Sequence, residues 1–186
     1  PILNEIYSHV HLSISSQDAS IFDRKALVGN LALALVWGDT HSLAPRNMWL
    51  TWNPYEKHLE PILTDQGYWR DAEKYISTMS DLPYVYKILF RQSPLTQDEL
   101  REELINLDNF FKDNDPVKAV NNLKEHYFYN DQRFKTTSIF SNLSFLSESL
   151  SDVVQKINLI SNQVNNKDQQ DKITAQQLEK IDKVSE

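Results

Sequence analysis

The 186-residue chain contains no cysteine. Disulfides, cysteine metal sites and thiol catalysis are therefore excluded, while the compartment stays open. Glycine is almost as scarce. Three residues are too few for the tight turns of a sandwich or barrel, and alternating apolar runs are rare, so the expected fold class is mainly α. Positive charge is also short: 19 Lys and Arg against 26 Asp and Glu give a formal charge of -7 and a pI near 5.2. Phosphate backbones demand a basic face, so nucleic acid is not an expected partner. Long hydrophobic runs are missing as well. The longest, Ala26 to Trp37, is broken by Gly29 and Asn30 and falls short of the roughly 20 residues that cross a bilayer. It reads as a buried helix, and no membrane span is expected. The sequence opens at Pro1-Ile2-Leu3 without a methionine, which suggests a processed or excised fragment whose signal peptide, if any, would not be visible.

What is present is helical patterning interrupted once. Leu3, Ile6, Tyr7 and Val10 recur weakly at helical spacing. Ser20 or Asp23 is the cap expected for a helix from about Arg24 to Trp37, apolar nearly all round and stopped by Gly38. The pattern then changes. Residues 46 to 52 are rich in β-formers, Asn53-Pro54-Tyr55-Glu56-Lys57 is a turn signal, and 58 to 64 return as a second arm. Pro61 cannot donate to a ladder, which predicts an edge or bulged strand there. Helices are expected over about Arg70 to Ser80 and Pro83 to Arg91. Another follows the capping box Thr96-Gln97-Asp98-Glu99, with Leu100, Leu104, Leu107 and Phe111 as its stripe. Asp115-Pro116 opens a further helix with Val117, Val120, Leu123 and Tyr127 as its core face.

Leu146, Leu150, Val153, Ile157, Ile160 and Val164 are spaced 4, 3, 4, 3, 4, a heptad seam. It serves either an intramolecular helix pair or self-association through 146–164. Asn165 to Asp171 is too polar to pack, and Ile173, Leu178, Ile181 and Val184 form at most a marginal last helix. The expected organisation is a helical domain with one hairpin over 1–145, then a heptad-patterned helix and polar tail over 146–186.

Chemistry concentrates between Gly38 and Asp65. A hairpin turning near Tyr55 sets Asn47 roughly opposite Leu63, with Asp65 at the same open end. Strands lie about 4.8 Å apart, so a carboxamide and a carboxylate would converge where a hard cation such as Mg²⁺ fits. The loop leaving the buried helix brings Asp39, His41 and Arg46 to that end. Polar residues beside hairpin ends are ordinary, so spacing alone does not decide between a site and a solvated loop.

The run from the apolar helix through Asn47, the Asn53-Pro54 turn and Leu59-Glu60-Pro61-Ile62 to Thr64-Asp65-Gln66 resembles the C-terminal half of spore-coat-protein-H-like (CotH-like) kinases. These are atypical, often exported relatives of the protein-kinase fold. The resemblance covers about residues 23 to 68. It implies a kinase-C-lobe-like body and Mg²⁺ (or Mn²⁺) with ATP as cofactors. It also implies a protein or small-molecule hydroxyl as phosphoacceptor, and an extracytoplasmic or cell-surface location. By the same resemblance Asn47 and Asp65 hold the metal; Arg46 either meets phosphate oxygens or is a surface charge. Asp65 is followed by Gln66-Gly67 where kinases carry Phe-Gly. The kinase base stands five residues before the loop asparagine, and that position is Ser42, which is no carboxylate. Asp39 or His41 would serve instead, or the base has been lost and a nucleotide-binding pseudokinase remains. Residues 1 to 22 contain no lysine and no glycine, so the phosphate-covering lobe would lie upstream or not exist, and this fragment alone is not expected to be active.

Three other readings compete with this one. Asp39-Thr40-His41 matches the Asp-x-His start of metallophosphoesterases, but their further ligand clusters are missing. No Gly-x-Ser-x-Gly elbow supports a serine hydrolase. A non-enzymatic helical interaction protein using the heptad seam is the alternative from a different class. His9, His11 and His126 read as surface or packing residues. Trp49, Trp52 and Trp69 read as hairpin and core packing.

Overall fold

The computed structural model describes residues 19–43, 49–62, 70–115, 118 and 136–163. The candidates Arg46, Asn47 and Asp65 lie outside these residues, as do His9, His11, His126, Trp69, the weakly patterned 2–14, the marginal helix expected over 173–184 and, apart from residue 118, the helix expected over 117–127. The fold is mainly α with one antiparallel hairpin. In chain order it comprises α1 (Arg24–Val36), a 3-10 turn (His41–Leu43), β1 (Trp49–Asn53) and β2 (His58–Ile62). Then follow α2 (Ala72–Thr78), α3 (Tyr84–Gln92), α4 (Gln97–Asp113), α5 (Thr136–Glu148) and α6 (Leu150–Asn162).

Helix α1 is the central post because its sequence has no polar face to give to water. Leu27, Val28, Leu31, Ala32, Ala34, Leu35 and Val36 are all buried. Helices α4, α5 and α2 and strand β2 surround it, while α6 packs across α3 and α4. Asp23 starts α1 as the cap, its side chain accepting from the Ala26 N–H at 3.0 Å. The end is a Schellman motif: Gly38 N–H bonds Leu35 O and Asp39 N–H bonds Ala34 O. Gly38 takes φ 67°, the left-handed conformation this motif requires.

The anticipated capping box is present, with the Thr96 side chain accepting from the Glu99 N–H and Glu99 answering. Leu100, Leu104 and Phe111 are buried on α4, and Leu107 is partly buried against the same core. Asp115 accepts from the Lys118 N–H at 3.4 Å, as a cap would.

Two expectations need correcting. The heptad seam does not run along one continuous helix: α5 ends at Glu148 and α6 begins at Leu150, with Ser149 at φ -101°, ψ 19° between them. Leu146, Leu150, Val153, Ile157 and Ile160 are nonetheless all buried, in one cluster that reaches back to Ala19. The break lets the stripe turn to follow the core.

The hairpin register also differs by one residue. Trp49 pairs with Ile62, Leu50 with Pro61 and Asn53 with His58, whereas a turn centred on Tyr55 would have paired Trp49 with Pro61. The cause is an even, four-residue loop. Asn53 Oδ1 accepts from Tyr55 and Glu56 N–H, and Lys57 closes the loop at φ 57° with its N–H on Asn53 O. A one-residue slip reverses which side chains face inward, and here it sends Leu59 and Pro61 to the core.

Pro61 is tolerated for a specific reason. Leu59 turns both its N–H and its C=O away from β1, to Ile21 O and Asp23 N. Two residues on, Pro61 presents the same edge, so its missing N–H costs the β1 ladder nothing, and its carbonyl accepts from Asn30 Nδ2 at 3.0 Å.

Candidate functional site

Polar groups gather at both ends of α1, which at 13 residues is about 20 Å long. The C-terminal end carries the two described members of the anticipated site. Asp39 is 6% exposed. One carboxylate oxygen accepts from the His41 N–H at 2.8 Å, an Asx-type turn that sets the 3-10 turn. The other lies 3.6 Å from the Arg70 guanidinium. His41 is exposed. Thr40 is buried beside them and is held by Tyr75, whose hydroxyl accepts the Thr40 N–H at 3.0 Å and also contacts Oγ1. Asp39 thus organises the loop, and His41 is the member that faces solvent.

This end is anchored from a distance. Asn142 on α5 is 3% exposed. Its Nδ2 donates to Val36 O and Arg70 O, and its Oδ1 accepts from Ala72 N–H. Arg70 N–H in turn bonds Trp37 O. With the Schellman bonds, these contacts satisfy the carbonyls that the end of a helix leaves free. The price is close approach: a Cβ on Gly38 would stand 2.4 Å from Arg70 O.

The hairpin aims its open end at this region. Leu59 sits beside Asp23 at the start of α1, and Pro61 beside Asn30 further along. Strand β2 therefore runs in the direction of α1, and the Trp49/Ile62 pair is the end nearer Gly38. Asn47 precedes Trp49 by two residues, and Asp65 follows Ile62 by three.

The opposite end holds a cluster that the sequence reading missed. Asp23, His58 and Glu60 place one ligand atom each within 4.8 Å of one another, the one such His and carboxylate group among the described residues. His58 Nε2 lies 3.3 Å from Asp23 Oδ2 and 3.5 Å from Glu60 Oε1, with the three side chains 23–33% exposed. Asn53 Nδ2 donates to the same Glu60 oxygen at 2.6 Å. The available signal was His58-x-Glu60 in a strand, where alternate residues share a face; that Asp23 joins them is tertiary.

Nearby, Arg24 Nε and Nη2 donate to the two Glu99 oxygens at 2.6 and 3.0 Å. Arg24 also reaches Ser93 O and Pro94 O and lies 5.7 Å from the Phe90 ring centroid. The hydrogen bond from Arg24, helped by those from Thr96, pulls the Glu99 carboxyl down to about 2. Comparison with known proteins returns nothing: no family model, no curated protein and no solved structure matches the chain.

Proposed function

We propose that this chain is the metal-and-acceptor half of a CotH-like phosphotransferase. In this reading Asn47 and Asp65 hold Mg²⁺ or Mn²⁺ against the phosphates of ATP, and Arg46 meets phosphate oxygens. His41 takes the proton of a protein or small-molecule hydroxyl, and Asp39 orients the His41 turn. The donor set suits the ion, since a carboxamide and a carboxylate are hard oxygen ligands. Bound Mg²⁺ would supply neutralisation of phosphate charge.

One observation carries the reading. Strand β2 runs along α1 from Asp23 toward Asn30, and β1 and β2 are paired at Trp49 and Ile62. The last described pair of the hairpin, Trp49 and Ile62, therefore lies toward the C-terminal end of α1, and in sequence Asn47 and Asp65 stand two and three residues beyond it. The alternative, a helical interaction protein working through the heptad seam, is less well supported because Leu146 to Ile160 of that seam are buried in the chain's own core. An interaction role would have to use another face, such as the one bearing exposed Ile105 and Phe140.

The test is nucleotide binding measured by thermal shift with Mg²⁺ or Mn²⁺, on the chain extended upstream to carry a phosphate-covering lobe. The expected result is a saturable rise in Tm with ATP and metal together, since a ligand at 100 times its Kd stabilises by about 2.7 kcal/mol. The rise should vanish in Asp65→Ala while the far-UV CD spectrum is kept. No shift of that extended chain at millimolar nucleotide overturns the reading.

A further inference from the structure

We propose that Asp23, His58 and Glu60 form a metal site of their own, suited to Zn²⁺ and separate from the nucleotide chemistry proposed above. The donor set is one imidazole nitrogen and two carboxylate oxygens. Imidazole selects Zn²⁺ and its neighbours over Mg²⁺ and Ca²⁺, which take all-oxygen shells.

The spacing fits. Zn²⁺ binds such nitrogen and oxygen ligands at roughly 2.1 Å in a tetrahedral shell, which sets neighbouring ligand atoms about 3.4 Å apart. Nε2 of His58 stands 3.3 Å from Asp23 Oδ2 and 3.5 Å from Glu60 Oε1.

The ligands sit on a fixed frame. His58 and Glu60 flank Leu59, whose N–H and C=O are tied to Ile21 O and Asp23 N. The backbone carrying all three ligands is thus one hydrogen-bonded unit. Asp23 has its Oδ1 occupied by the Ala26 N–H, which leaves Oδ2 turned to His58. Asn53 Nδ2 holds the Glu60 oxygen that faces His58, the kind of outer contact that orients metal ligands.

Electrostatics favour the ion on balance. The N-terminus of α1 contributes about half a positive charge, against two full negative charges on Asp23 and Glu60. Side-chain exposures of 23–33% leave the ion reachable and its fourth position open to water, as in catalytic rather than closed structural zinc sites. The competing account is a protonated His58 bridging two carboxylates, which needs no ion.

Cobalt separates the two accounts, because tetrahedral Co²⁺ absorbs strongly in the visible and octahedral or free Co²⁺ only weakly. The full chain is titrated with Co²⁺ in the absence of nucleotide, and Zn²⁺ is then added. The expected result is a saturable visible band at one equivalent, bleached by Zn²⁺. The band should be lost in His58→Ala and Glu60→Gln. It should also be weakened in Asp23→Asn, which loses a carboxylate ligand but keeps a competent helix cap. His41→Ala should leave it unchanged, and CD should show every variant folded. No band at millimolar Co²⁺, or a band that survives His58→Ala, overturns the site. Neither outcome bears on nucleotide binding, so the two proposals fail separately.

Discussion

The two ends of α1 solve the same problem by different means. At the C-terminal end the free carbonyls are satisfied by neutral groups, namely the Schellman turn at Gly38, the Arg70 N–H and the buried Asn142 carboxamide. At the N-terminal end the side chain of Asp23 caps the Ala26 N–H, and the polar, partly exposed groups around it, His58 and Glu60 on one side and the Arg24–Glu99 ion pair on the other, bond one another rather than the helix backbone. Buried neutral bonds are costly to break, because the orphaned partner cannot turn to water. Half-exposed ion pairs are worth little each and respond to pH, salt and ions. The first end should therefore behave as architecture and the second as a tunable surface.

The comparison is tested most severely at Gly38. Any side chain there meets the Arg70 carbonyl in a backbone conformation that L residues disfavour. Gly38→Ala should cost about 3 kcal/mol or more, read as a large drop in urea midpoint. An effect below about 1 kcal/mol would mean that the end of α1 and the Arg70 segment are not locked together.

Asn142→Ala comes next. It orphans Val36 O, Arg70 O and Ala72 N together, and about 2–3 kcal/mol should be lost. Asn158 supplies an internal control. It makes the same kind of two-way bond to Leu95 N and O at 2.9 Å, but in a partly buried place, and Asn158→Ala should cost about half as much. Equal losses would show that burial is not what distinguishes the two pegs.

The smallest effect belongs to the charged end. Glu99 titrates in the folded chain near 2 instead of its ordinary 4.5. The lowered folded value means that its contribution is fully present above about pH 4.5 and is lost as pH falls toward 2. Its side chain and that of Arg24 are 33% and 28% exposed, so solvent screening holds the effect to about 1 kcal/mol or less. Stability measured from pH 5 to pH 2 in wild type and Glu99→Gln should show a steeper decline in the wild type. Parallel curves would remove Glu99 as the cause.

Much of the helical frame was legible because local rules coincide with tertiary need. The Asp23 cap, the Gly38 stop and the Thr96–Glu99 box are written within four residues of where they act, and the stripe from Leu100 to Phe111 marks one buried face. The hairpin register was less legible, since Asn53 and Lys57 together set a four-residue loop that composition alone does not distinguish from a three-residue one. The Asp39 and His41 end was legible as a loop, but not the burial of Asp39 under Arg70. Asn142 and Asn158 gave no signal at all. An asparagine on a helix face reads as solvated until the structure puts a backbone carbonyl and an N–H within its reach.

The sequence by itself determined where α1 and α4 start, where α1 stops and that α1 is central, and no helix of the described residues is long and apolar enough to cross a membrane. Those properties follow from spacing and caps, which act over one or two turns. Only the tertiary structure decided that β2 runs along α1, that the heptad stripe turns into the chain's own core, and that Asp23 meets His58 and Glu60. Each joins residues 31 to more than 100 positions apart, and no local rule relates groups whose proximity depends on how whole elements pack.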